Sequence, residues 1–63
     1  MCLSTIYAEQ RNRRETLATA VQGVLVHGDS LIFTDILGNQ SQVNGTIASV
    51  DLIHNEIVVH LRQ

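Results

Sequence analysis

The sequence predicts an all-β fold, a small antiparallel barrel of about five short strands of the SH3-like or OB-like kind. Three observations carry that expectation. Extended segments recur at regular spacing, turn compositions rich in Gly, Asn and Asp separate them, and no long helix is indicated anywhere.

The first segment is Cys2 to Ala8, with Leu3, Thr5 and Tyr7 on one face and Cys2, Ser4, Ile6 and Ala8 on the other. Neither face is cleanly apolar. A strand covered on both sides, by the barrel and by a partner chain, accounts for the mixture. Residues 9–15 hold three arginines among glutamates and no apolar side chain, which predicts a solvated loop or the tip of a hairpin.

Thr16 to Gln22 is ambiguous, because alanine favours helix whereas threonine and valine favour strand. An extended crossing is the expectation. Val24-Leu25-Val26, a turn at His27-Gly28-Asp29-Ser30 and the alternating Leu31-Ile32-Phe33-Thr34 make the clearest hairpin in the chain. Asp35 to Asn39 is the next turn, with Gly38 and Asn39 where positive φ is cheapest.

Gln40 to Val50 reads as one long extended segment with Asn44-Gly45 in its middle. That dipeptide is a hairpin signal, but a hairpin there would leave a very short stub before it. A glycine bulge that bends a single strand is therefore preferred, as small barrels use such bends to change sheets. Asp51 to Asn55 is the last turn, and Glu56 to Arg62 the closing strand, with Ile57, Val59 and Leu61 inward and Val58 and His60 facing the other way. Residues 1–63 form one domain, without repeat or linker.

A 63-residue chain has little interior: a monomer of 7.0 kDa buries only about 60% of the surface its unfolded chain exposes. Apolar burial and conformational entropy come out nearly equal at this size. Cys2 has no disulfide partner, and no clustered Cys and His set suggests a structural zinc. Association into a homodimer is the expected source of additional stability.

The net charge of −2, the absence of lysine and an aromatic set of only Tyr7 and Phe33 argue against nucleic acid as a partner. No apolar run approaches the ~20 residues that span a bilayer, and no signal-sequence pattern is present. A cytoplasmic location is expected. No Ser, Asp or Glu falls in a nucleophile motif, and so small a barrel offers little room for a cleft, so the chain is not expected to be an enzyme. His27, His54 and His60 are spaced as turn or surface residues, and the glycines are too dispersed for a phosphate loop.

The remaining candidate is Cys2, the only cysteine, next to Met1 and the terminal amine. A thiolate beside an ionisable amide nitrogen and an amine can close fused five-membered chelate rings, which suits Ni(II) or Cu(II). The competing reading makes Cys2 a small apolar residue on the first strand.

Met1-Cys2-Leu3, the hairpin through Gly28-Asp29, Thr34-Asp35-Ile36-Leu37-Gly38, Val43-x-Gly45-x-Ile47, and Val50-Asp51-Leu52 followed by Ile57-Val58-Val59 together resemble the CooT-like proteins. These are small nickel-binding accessory proteins associated with maturation of carbon monoxide dehydrogenase. The resemblance covers nearly the whole chain and implies a small β-barrel, a homodimer and Ni(II) held through Cys2. It departs in the segment before the second strand, where relatives tend to be acidic and this chain has Arg14-Glu15-Thr16-Leu17-Ala18-Thr19-Ala20.

On that reading one chain supplies a thiolate, an amide nitrogen and an amine, and square-planar nickel needs a fourth donor. A two-fold dimer that brings two N-termini together provides it. If Met1 is removed, each chain gives the Cys2 amine and thiolate; if it is retained, one chain nearly fills the plane. Two other expectations stay open: a nucleic-acid module using Arg11, Arg13 and Arg14, and an interaction domain that binds no metal.

Overall fold

The computed structural model describes residues 2–62. Within it β1 (Ser4–Gln10), β2 (Arg13–His27), β3 (Ser30–Asp35), β4 (Gln40–Asp51) and β5 (Glu56–Leu61) form a closed barrel in chain order. Each consecutive pair is antiparallel. A meander with an odd number of strands starts and finishes in the same direction, so the seam that closes the ring, β1 on β5, is parallel.

Five strands enclose the barrel because two of them serve two neighbours in succession. β2 pairs with β1 from Arg13 to Val21 and with β3 from Val21 to His27. Register slips between Ser4 and Ile6, between Ile6 and Tyr7, and between Val21 and Gly23 leave extra residues on β2, which lengthen and bend it. Ala20 sits at this bend with φ +52°, a left-handed conformation for an L-residue. Thr16 to Gln22 is thus extended, and it joins Val24 to Val26 in one continuous strand.

β4 makes the same kind of change at Asn44-Gly45, pairing with β3 up to Asn44 and with β5 from Gly45 onward. The long segment is a single strand that changes sheet at its glycine. The register slip itself lies further along, between Ile47 and Ser49. Gly45 is needed for close approach: a Cβ there would run into the carbonyl oxygen of His60 and lie 3.1 Å from the Cα of Leu61.

The turns follow their composition. Arg11 and Asn12, with φ of 49° and 66°, make the two-residue connection between Gln10 and Arg13, so residues 9–15 are a hairpin tip with strand on either side. Gly28 at φ +59° fits a type II′ connection between His27 and Ser30. At the ends of β3 and β4, Asp35 and Asp51 fold back on the chain. Asp35 Oδ1 accepts from the backbone N–H of Leu37 and of Asn39, each at 2.9 Å, and Asp51 Oδ1 accepts from those of Ile53 and His54, each at 3.0 Å.

The core is Ile6, Val21, Leu31, Phe33 and Val59, with Leu17, Ala18, Val24, Val43, Ile57 and Leu61 packed around it. Leu31 and Phe33 alternate with half-buried neighbours on β3, the period-two pattern of a strand with one face inward. On β5, Val59, Ile57 and Leu61 face inward as expected, yet Val58 on the opposite face is also buried. It stands between Tyr7 of β1 and Ser49 of β4, so this seam is covered on both sides.

Candidate metal centre

β1 begins at Ser4, so Cys2 precedes the first strand instead of lying in it, and its side chain is exposed with a free thiol. The reading of Cys2 as a small apolar residue on the first strand, and the start of that strand at Cys2, are therefore corrected. Ser4 is placed opposite Val21, and the Thr5 N–H donates to the Asn55 carbonyl at 2.9 Å. The chain thus enters the barrel beside the turn between β4 and β5. Met1 lies outside the described residues.

Among the described residues no group of three His, Cys, Asp or Glu side chains could hold a metal ion. The described residues of one chain do not offer Cys2 a closed cage of side chains. Within the described residues, the donors near Cys2 are its own thiol and main-chain nitrogen. That set is compatible with a planar metal and incompatible with a tetrahedral structural zinc site built within one chain.

The three histidines fall on separate elements, His27 at the end of β2, His54 in the last turn and His60 on β5. His54 is already engaged. Its Nδ1 lies 2.8 Å from Asp51 Oδ2, and this hydrogen bond, with the charge of Asp51 behind it, raises the imidazole above its ordinary value. The backbone N–H of His54 first, then its ring, hold the Asp51 carboxyl below the ordinary range. At Asp35 desolvation works the other way, but hydrogen bonds from Asn39, Leu37 and Gly38 prevail and lower that carboxyl too. Both aspartates thus serve turn geometry. The sequence carried a usable signal for the pair, an aspartate ending a strand with a histidine three residues on.

The arginine cluster divides by face. Arg14 is bonded to Glu9 at 3.2 Å, and its guanidinium carbon lies 5.1 Å from the centre of the Tyr7 ring. Phe33 is buried in the core. Phe33 is thus not free to stack on a base and one face of Tyr7 is taken by Arg14, which weakens the nucleic-acid expectation. Among the described residues no helix is long and apolar enough to cross a membrane.

Among the described residues eight large apolar side chains stand exposed, including Leu37, Leu52 and Ile53, each at least 80% accessible. The accessible surface of 4596 Å² also exceeds the ~4,000 Å² typical of a compact monomer of this mass.

The sequence model of a family described as "CO dehydrogenase accessory protein CooT" matches residues 1–60. The fold is similar to that in the crystal structure of a protein provisionally assigned as CooT from Carboxydothermus hydrogenoformans, with a TM-score of 0.91 and 14% identity over 98% of this chain and 100% of that one. At that identity the likeness concerns the fold. No curated protein sequence matches this chain.

Proposed function

The chain belongs to the CooT family of CO dehydrogenase accessory proteins, and from that premise we propose that it carries Ni(II) on the Cys2 thiolate for the maturation of a nickel enzyme. The observation that carries this reading is the placement of Cys2: a free thiol, exposed and ahead of β1, where neither the core nor a strand register constrains it. A cargo site has to release its metal, and a solvent-facing thiolate with main-chain donors can exchange ligands where a buried cage cannot.

The metal is cargo, and the barrel contributes position. Thr5, held by the Asn55 carbonyl, anchors the strand from which Cys2 projects, and Ser4 is fixed opposite Val21. The site is completed across a homodimer, in which the second N-terminus supplies the missing donors and Met1 adds its amine and the Cys2 amide where it is retained. Exposed Leu52 and Ile53, in the turn beside which the N-terminus enters, favour a second copy at this end. The protein acts in the cytoplasm and is not itself a catalyst.

The test is nickel titration of wild-type and Cys2→Ser protein, followed by charge-transfer absorption, with sedimentation equilibrium to give the oligomeric state. Loss of both the absorption band and the affinity in Cys2→Ser, in a dimeric protein, is expected. Equal affinity in the two proteins would sink the nickel assignment, and a monomer that binds fully would sink the shared site. Intact-mass measurement beforehand establishes whether Met1 is present.

A further inference from the structure

The β1–β2 hairpin rises past the barrel wall. β5 pairs with β1 only from Thr5 to Ala8, so Glu9 and Gln10 extend beyond the seam, and Arg14 and Arg13, opposite them on β2, extend with them. Ala8 lies opposite Glu15 and Gln10 opposite Arg13. These four share one side of the hairpin, and because Ala8 among them is buried, that side faces the barrel. Together with Leu61 at the end of β5 they line an open cleft of about 550 Å³, within the size range of ligand clefts, roughly 300–1,000 Å³.

The charges around this cleft are unevenly satisfied. Of the four arginines, Arg14 is paired with Glu9 and Arg62 with Asp29 at 2.6 Å. Arg11 and Arg13 form no ion pair among the described residues, and both border the cleft. With the Arg14–Glu9 pair neutral, Arg11, Arg13 and Glu15 leave the cleft a local charge of +1 in a chain of net charge −2.

We infer that this cleft is a docking site for a glutamate-bearing extended segment of a partner protein. The apolar floor of Ala8 and Leu61 suits the methylenes of a glutamate side chain, and an unpaired guanidinium at the rim presents the planar fork that matches a carboxylate. Nucleic acid fits less well. One face of the Tyr7 ring is taken by Arg14, Phe33 is buried, and the overall negative charge repels a long polyanion more than it repels one or two carboxylates. This site is separate from Cys2, and its binding needs no metal.

The experiment measures fluorescence anisotropy of a labelled oligoglutamate peptide with the full chain in chelator-treated buffer, beside a labelled oligouridylate. Arg13→Gln, Arg11→Gln and Arg62→Gln remove the same charge at three places, and circular dichroism verifies that each variant is folded. Peptide binding is expected to weaken about tenfold in Arg13→Gln, the size of one lost charge-assisted hydrogen bond. It should weaken less in Arg11→Gln and stay unchanged in Arg62→Gln. Absence of peptide binding, equal loss in Arg62→Gln, or tighter binding of oligouridylate would overturn the inference.

Discussion

Gly45 lies so near the backbone of β5 at His60 that a β-carbon there would meet it, at the point where β4 leaves β3 and takes up β5. The contact is with main-chain atoms, which cannot rotate aside as the end of a flexible side chain would. Gly45→Ala is therefore expected to push the two strands apart and cost about 1–3 kcal/mol, the usual range for overpacking. In a domain this small each kcal/mol is worth about 4–8 °C in Tm. An unchanged thermal midpoint would show that the strands yield freely.

Ala20 tests the other bend. Its left-handed backbone costs an L-residue roughly 1–2 kcal/mol, and the bend is tied down by the bond from the Ile36 N–H to the Ala20 carbonyl at 3.0 Å. Ala20→Gly should relieve that cost, less the ~0.5–1 kcal/mol that glycine loses in a strand, for a net gain of up to about 1 kcal/mol. Ala20→Val should destabilise, because a β-branched residue resists positive φ. Urea denaturation of the two variants decides it; the opposite order would mean that the bend is unstrained.

The Asp51–His54 pair should be visible by titration. His54 is raised by its bond to Asp51, so its stabilisation is fully present below about pH 6.5, the ordinary imidazole value, and is lost as pH rises through its own higher value. Asp51 is lowered, so its contribution is present above its ordinary value of 3.8 and is lost as pH falls through its depressed one. Both groups are exposed, so the effect on stability is small and the sharper measurement is NMR. The His54 ring protons should titrate above the ordinary value in the wild type and return to it in Asp51→Asn. A midpoint indifferent to Asp51→Asn would dissolve the pair.

If the proposed nickel site is right, affinity should rise with pH. Binding through Cys2 would expel the thiol proton, and an amide nitrogen, where it ligates, would expel another. The apparent affinity measured across neutral pH should therefore climb by at least the one-proton slope wherever the thiol is protonated, and nickel should be released in acid. A flat profile would point to ligands that lose no proton.

Much of the architecture was legible because it rests on short-range rules. Alternation along Leu31 to Phe33, Gly28 in its hairpin and Gly38 in its turn are decided by residues a few positions apart. The partner change at Asn44-Gly45 could also be read, since only glycine lets one strand come that close to another. The burial of Val58 could not, because it depends on which strands close the ring around β5.

By itself the sequence determined that the chain is a small β-barrel and that its only thiol stands next to its start, since composition and periodicity do not depend on packing. Tertiary structure alone decided that Thr16 to Gln22 continues into the next strand, because Ala20 adopts its costly conformation only when β1 and β3 hold β2 on either side of the bend. It also decided that Cys2 stands clear of the barrel, and that Arg13 is left without an ion-pair partner among the described residues while Arg14 turns to Glu9 and Tyr7. Neighbouring residues on a strand point to opposite faces, and which face meets the interior is settled by strands far away in the chain.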